Sequence, residues 1–445
     1  MSRALAVSAC LALAACVRGN GPQAPATPAA PELRAAPVTG YGYHNETSVA
    51  VDPTRPDRVV TAFQVPATAG WSADGGRSWA SAALPGTQAF DLSGDPVVFF
   101  DGDGHVYALY IAFVRPEDYD TLGKAAHRNG IFLNRSDDGG RTWRPQATPV
   151  SEQPERPGIP FEDKPMAAVD RTADPARRGH VYVAWTEFRR WETQILFARS
   201  TDGGLGFSAP LQISDRGGSP KDSVGAVEGT DVAVGPDGTV YVVWSDSTGI
   251  LLDRSTDGGR TFGADARIAR TADIVFGVAG VARANGYPSI EVDPRTGRLF
   301  VEWVDRRLGS AAVFLTVSAD GGRTWSEPRV VSDNAAPDGL DRFFSWMALD
   351  PKTGTLAIGY YRQEAGGRLR YMLSYSTDDG RTFRHAPWGQ PFVPGGEFLG
   401  DYTGVDAYDG VVYGAWTEAA PADSAPPLHG GGHHTRVVAG RASLR

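Results

Sequence analysis

The chain has 445 residues, 41% hydrophobic and 10% aromatic, with 54 Gly, 32 Pro and a formal net charge of −9. The acidic balance gives a nucleic-acid partner no electrostatic support. Beyond the first sixteen residues no stretch is long and apolar enough to span a bilayer or patterned as a long helix, so the composition points to a β protein of many short strands.

The first element is the apolar run from Ala4 to Ala15, which closes as Leu13-Ala14-Ala15-Cys16. It is too short to cross a membrane and reads as a secretory signal. Small residues directly before a cysteine resemble the bacterial lipoprotein signal (residues 1–16), which implies that Cys16 becomes the lipid-bearing first residue. Cys10 leaves with the signal, so the mature domain holds no internal disulfide. Residues 17–31, rich in Pro and Ala, read as a tether, and residues 32–445 as one domain. The expected location is outside the cytoplasm, lipid-anchored to the cell envelope (outer membrane or periplasm). The expected state is a monomer that meets the membrane only through its anchor.

After the tether, strand-like pairs joined by tight turns recur seven times, from "TSVAVDPTRPDRVVTAFQ" to "YTGVDAYDGVVYGAWTE". Between them a nine-residue phrase recurs six times: "WSADGGRSW", "RSDDGGRTW", "RSTDGGLGF", "RSTDGGRTF", "VSADGGRTW" and "YSTDDGRTF". Asp bonds local N–H groups and Gly accepts positive φ, so the phrase reads as a turn between a third and a fourth strand. Four strands per unit of roughly 50–65 residues match a propeller blade. The expected fold is all-β: a β-propeller of four-stranded antiparallel blades, seven in number, with six as the alternative. The last unit lacks a phrase and a fourth strand. The segment Glu32 to Val38 is expected to supply that strand beside "HTRVVAGRA" and close the ring without an open edge.

The phrase resembles the Asp-box, or BNR repeat, of the sialidase superfamily. Asn45-Glu46-Thr47-Ser48 and Gly400-Asp401-Tyr402 also resemble bacterial exo-alpha-sialidase-like proteins. The resemblance implies a propeller and a glycan or glycoconjugate partner, and, if the chain is an enzyme, a glycoside hydrolase of exo-alpha-sialidase type. Active members are expected to carry Phe/Tyr-Arg-Ile-Pro, three Arg residues on the substrate carboxylate, a Tyr–Glu nucleophilic pair and an Asp acid. The tetrapeptide is absent from this chain. The alternative is a non-catalytic propeller that binds a glycan or protein partner.

The phrase aspartates Asp74, Asp138, Asp202, Asp257, Asp320 and Asp378 read as structural. The phrase aromatics, and Trp185, Trp244, Trp303 and Trp416 at the ends of second strands, read as core. The long loops all fall on one face, which is the functional candidate. Aligning first strands brings Glu46, Asp95, Lys164, Gly229, Tyr287, Phe344 and Asp401 to the channel mouth. Asp401, Glu46 and Asp95 then form a carboxylate arc suited to acid and base work, with Tyr402 as a candidate hydroxyl nucleophile. Lys164, Tyr287 and Phe344 face it as candidate substrate contacts. Arg306, Arg342 and Arg362 are candidate grips on an anionic sugar, against the plainer reading of ion pairs with neighbours such as Asp305 and Asp341. No cofactor is required, and Ca2+ on the three-carboxylate arc is the one metal expectation. The three His of "HGGGHH" sit in a flexible glycine setting that preorganises ligands poorly.

Overall fold

The computed structural model describes residues 31–115, 127–155, 160–222, 225–272, 274–334, 338–421 and 434–444. Residues 1–30, including Cys16, lie outside the described residues, as does all of the "HGGGHH" stretch except His434. Seven four-stranded antiparallel sheets follow one another along the chain as propeller blades, and a two-stranded hairpin, Val275–Phe276 with Ala284–Asn285, precedes the fifth. The inner A strands of blades one to seven are Asn45–Val51, Leu92–Phe100, Phe161–Val169, Glu228–Val234, Ser289–Val292, Arg342–Leu349 and Gly404–Tyr408. The B strands are Val59–Gln64, Val106–Phe113, Val181–Phe188, Val240–Asp246, Leu299–Asp305, Leu356–Gln363 and Val411–Ala419. Among the described residues the one helical element is a single 3-10 turn, Thr87–Ala89.

The ring closes through the chain ends. In blade seven the order is Glu32–Pro37, Thr435–Ser443, Val411–Ala419, Gly404–Tyr408, so the first strand of the chain is the outer strand of the last blade. Its register runs from Glu32 opposite Ser443 to Pro37 opposite Val438.

Strand register explains how seven unlike sequences build one ring. The A-strand residues Ser48, Val97, Met166, Asp231, Ser289, Trp346 and Gly404 lie opposite Ala62, Leu109, Ala184, Val243, Glu302, Gly359 and Ala415. Each of those partners precedes a fully buried aromatic: Phe63, Tyr110, Trp185, Trp244, Trp303, Tyr360 and Trp416. These seven rings fill the space between neighbouring sheets, where each contributes roughly 2–3 kcal/mol of burial.

A strands of adjacent blades do not pair with one another, and side chains of one blade bond backbone groups of its neighbour instead. Thr47 Oγ1 donates to Ala415 O at 2.8 Å, Thr230 Oγ1 to Ala184 O at 3.2 Å, and Thr403 Oγ1 to Phe344 O at 3.0 Å. Asp231 Oδ2 accepts Ile290 N at 2.9 Å and Asp406 Oδ2 accepts Val51 N at 2.8 Å. Below the mouth the channel holds a second cavity of about 580 Å3, and among its lining residues Ser48, Asp231, Glu291 and Asp406 make such blade-to-blade bonds.

The six repeated phrases make one hydrogen-bond set. Ser Oγ donates to Asp Oδ1 at 2.7–2.8 Å in every copy, from Ser72–Asp74 to Ser376–Asp378. In five copies the Ser or Thr four residues after the Asp donates to its Oδ2, as Thr142 does to Asp138 at 2.7 Å. Blade three has Gly206 there and lacks that bond; Asp202 keeps the N–H groups of Leu205 and Gly206 at 3.0 and 3.1 Å. The phrase aromatics Trp79, Trp143, Phe207, Phe262, Trp325 and Phe383 are half-buried and pack over the clusters between blades.

Candidate functional site

On the long-loop face the channel opens into a cavity of about 920 Å3, lined among others by Glu46, Asp95, Asp163, Lys164, Asp222, Arg283 and Asp401. Its shape comes from a repeated bulge. In blades one, two, three, four and six the A–B register slips at one place: between Asn45 and Ser48, Gly94 and Val97, Asp163 and Met166, Glu228 and Asp231, and Phe343 and Trp346. Within each slip one residue takes positive φ: Glu46 at 51°, Asp95 at 45°, Lys164 at 48°, Gly229 at 72° and Phe344 at 50°. A left-handed Glu, Asp, Lys or Phe is strained, and the bulge turns its side chain out of the sheet alternation.

Those five are residues that the sequence alignment placed at the mouth. Tyr287 stands in the equivalent place in blade five, two residues before Ser289. Blade seven is the exception, because register puts Tyr402, not Asp401, two residues before Gly404. The alignment is therefore one residue off there. Gly400 causes the offset: at φ 99° it passes so close to Glu46 that a Cβ would lie 2.6 Å from the Glu46 nitrogen, and Asp401 turns into the cavity just after it.

The carboxyls meet in a chain. Glu46 and Asp95 hydrogen-bond through their side chains, and so do Asp95 and Asp163. The Asp95 N–H also donates to Glu46 Oε2 at 3.2 Å, and the Lys164 N–H to Asp95 Oδ2 at 3.4 Å. Two carboxyls can bond to each other only if one keeps its proton. Burial first, then the Glu46 charge, holds Asp95 well above the usual carboxylate range. Burial raises Glu46 to about 7, and burial with Asp95 and Asp222 nearby raises Asp163 to about 8 against the opposing pull of Lys164.

Two cations balance the acids. The buried Lys164 Nζ lies 3.0 Å from Asp163, 3.5 Å from Asp222 and Asp401, and 4.0 Å from Glu228. Arg283 grips Asp401 with both Nε, at 2.8 Å, and Nη2, and reaches Asp222 with Nη1 at 3.1 Å. Asn285 Nδ2 adds a bond to Asp401 at 3.2 Å. Tyr287 closes the Lys164 side with its ring centroid 5.9 Å from Nζ. Gly229 leaves room for that ring, since a Cβ there would sit 2.2 Å from Tyr287 Cδ1.

Tyr402 is buried beneath the acids, tilted against Trp346 at 6.1 Å between ring centroids, and its hydroxyl has no hydrogen-bond partner among the described residues. Burial, then the charges of Asp95 and Glu46, push that hydroxyl well above its ordinary value. Phe344 packs into the core against Phe343 and Tyr361.

The structure does not bring the three Arg candidates to the cavity. Arg342 is buried with Asp333 at 2.8 Å and Asp338 at 2.7 Å, and Arg362 bonds Asp333 at 2.8 Å and Glu364 at 2.7 Å. Arg306 lies 3.7 Å from Asp341 and over the Phe276 ring. The cations at the cavity wall that no carboxylate pairs among the described residues are Arg115 and Lys221, both exposed on loops. Sequence reasoning passed over Asp163, Asp222, Glu228, Arg283 and Asn285. Asp163 was within reach, since it adjoins Lys164 in "FEDKP", whereas Asp222 and Arg283 sit in irregular loops with no periodic signal. Among the described residues no cluster of three or more His, Cys, Asp or Glu is arranged to hold a metal ion. Lys164 and Arg283 meet charge of the cavity's acids.

No family model matches the chain. It is similar to the sialidase of Bacteroides fragilis (strain YCH46), 27% identical over 278 residues, covering 57% of this chain and 48% of that protein. It is also similar to the sialidase of Micromonospora viridifaciens, 28% identical over 204 residues, covering 39% and 30%. The chain thus spans about half or less of the length of these curated relatives. Among solved structures, the Hadza microbial sialidase Hz136 superposes with a TM-score of 0.48 and 15% identity, covering 86% of this chain and 73% of that one. Seven four-stranded blades make the chain a β-propeller, and its similarity to these two sialidases supports a place in the sialidase superfamily.

Proposed function

We propose that the loop-face cavity binds the end of an acidic glycan and hydrolyses its terminal glycosidic bond. The observation that carries this reading is the hydrogen-bonded chain Glu46–Asp95–Asp163, open to a cavity that suits one or two sugar rings. Asp95, kept protonated by burial and by Glu46, gives its proton to the leaving glycosidic oxygen. Glu46 takes up the proton of the attacking group, either water or the Tyr402 hydroxyl that waits unpartnered beneath it. Arg115 and Lys221 hold the sugar's negative charge, because Lys164 and Arg283 are already committed to Asp163, Asp222 and Asp401. The test is turnover of chromogenic glycosides, sialosides and uronides among them, by native protein and Asp95→Asn. Native turnover lost in the variant supports hydrolysis. Absence of native turnover on every glycoside sinks it.

A second reading, a non-catalytic glycan-binding propeller, is favoured by two observations. Buried Lys164 and half-exposed Arg283 are both paired with carboxylates, and the Phe/Tyr-Arg-Ile-Pro tetrapeptide is missing. Saturable binding of an acidic oligosaccharide without turnover would establish it.

For location, we propose lipidation at Cys16 and display outside the cytoplasm, with residues 17–31 as the tether. Leu13-Ala14-Ala15-Cys16 supports this. Cys16→Ser should leave the protein unprocessed or release it from membranes. A Cys16→Ser protein that fractionates and matures like the native one would rule the anchor out.

A further inference from the structure

Blade four departs from the repeat at its outer edge. Two residues before the Ser of each repeated turn, the other blades carry neutral side chains: Gly70, Asn134, Ala198, Thr316 and Ser374. Asn134 and Thr316 lock the turn from there by donating to Arg144 O at 3.3 Å and Ser326 O at 2.6 Å. Blade four alone places a carboxylate at this position, Asp253, which is 2% exposed. Its Oδ1 does the turn-locking, accepting the N–H of Gly263 at 2.9 Å and of Arg254 at 2.6 Å. Its Oδ2 is buried without a hydrogen-bond partner.

A second oxygen beside it shares that condition. Asp265, two residues beyond Gly263, also has a buried, unpartnered Oδ1. Its other oxygen accepts the Asp215 N–H at 2.8 Å, while Asp215 Oδ2 accepts the Asp265 N–H at 3.0 Å. That exchange holds the two carboxyls side by side. Burial, with Asp215, Asp253 and Asp246 close by, raises Asp265 to about 6. Arg254 is a cation whose charge acts on Asp253, and its guanidinium bonds Gly321 O of blade five. A buried carboxylate oxygen without a donor costs stability, and nothing in the turn geometry requires an acid here, since neutral residues serve in the other blades.

The geometry points to a calcium-binding site at the outer edge of blade four, with Asp253 Oδ2 and Asp265 Oδ1 as ligands and Asp215 beside them. Calcium takes six to eight oxygens and accepts backbone carbonyls and water for those that side chains do not supply. Two carboxylates, with no third acidic side chain among the described residues completing the set, are fewer than a preformed cage provides. The site therefore belongs with the weak extracellular class, with a dissociation constant of about 10⁻⁴–10⁻³ M. Asp215 lies on the connection between Leu211–Gln212 and Glu228–Val234, which also carries Lys221 and Asp222 to the cavity wall. A cation here pins the root of that connection.

The test uses the purified full chain, freed of metal with EDTA and titrated with CaCl2 by calorimetry and thermal unfolding, with MgCl2 in parallel. One saturable Ca2+ is expected, with Mg2+ weaker and a melting temperature raised by about 1–3 °C at saturation. Asp265→Asn should lose the Ca2+ response and, with the crowding relieved, melt above the metal-free native protein. If Asp265→Asn fails to fold, Asp215→Asn carries the same comparison. No saturable uptake by the native protein up to about 10 mM, tenfold above the weakest expected constant, overturns the site. So does uptake that survives Asp265→Asn, or uptake that Asp95→Asn removes, which would move the ion to the channel mouth.

Discussion

The two faces of this propeller use the same residue, aspartate, to opposite ends. In the repeated turns each carboxylate is met at once by its own neighbours: a Ser hydroxyl, one or two N–H groups within four residues and, in five of the six, a Thr or Ser hydroxyl. Those donors hold Asp138, Asp202 and Asp257 below the ordinary range. At the channel mouth the carboxyls Glu46, Asp95 and Asp163 come from three blades, share their hydrogen bonds with one another, and are held above it. A carboxylate satisfied by its own turn is scaffold. One that shares its hydrogen bonds with carboxyls of other blades costs stability and is retained where function needs it.

The contrast is tested most strongly by exchanging amides for acids on both faces. Asp95→Asn is expected to lower turnover about 10²–10⁴-fold with unchanged circular dichroism, while Asp202→Asn leaves kcat/KM within about twofold of native once folded fractions are matched. Equal losses in both would erase the distinction. Next in size, Asp401→Asn removes the bond that holds Arg283 and part of the field around Lys164. Arg283 is half-exposed and screened, whereas Lys164 is not, so a loss of about 2–3 kcal/mol in a denaturant titration is expected.

The pH dependence should divide between the faces. A carboxyl raised in the folded state binds more protons than the unfolded chain between about 4, its ordinary value, and its folded value. With Glu46 at about 7 and Asp163 at about 8, stability from the mouth is fullest at low pH and falls as pH rises from about 4 to about 8. The turn aspartates do the reverse: their stability is present above about 4 and is lost as pH falls. Glu46→Gln should flatten the alkaline limb of a melting-temperature profile and spare the acid limb. A profile in which both limbs move would break the assignment.

At the smallest scale, Asp202→Asn should cost about 1 kcal/mol through weakened turn bonds. Gly206→Thr should return about 0.5–1 kcal/mol by restoring the hydroxyl that the other five turns have. A Cβ at Gly206 meets nothing nearer than Asp202 Oδ2, at 3.6 Å. Thermal unfolding of the two single variants and their combination decides it, because Gly206→Thr should help less once Asp202 is Asn.

Much of the fold was legible because it is periodic. The turn phrase, the B-strand aromatics and the orphan strand at Glu32 each follow from local sequence, and the sheets place them accordingly. Six of the seven aligned first-strand positions were legible for the same reason, although Phe344, at one of them, packs into the core instead of the cavity. The seventh failed at Gly400-Asp401-Tyr402, where a left-handed glycine shifts the chain by one residue in a way no strand pattern encodes. The partners of those residues were harder still. Arg283 reaches Asp401 from 118 positions away, out of a loop with no repeat, and Arg306, Arg342 and Arg362 carried the same charge in more regular places. Charge type is visible in sequence, whereas the direction in which a loop carries a charge is decided by packing.

The join in blade seven also sets when the molecule can become itself. Glu32–Pro37 is made long before Thr435–Ser443, the strand it pairs with. Every blade before the seventh must wait beside an unclosed ring until some four hundred residues have followed the first strand. The sister ends, Glu32 and Ser443, then face each other across one register pair. Topologically the chain is a circle cut at an arbitrary point, and linking those ends while opening a tight A–B turn elsewhere should yield the same ring from a different beginning.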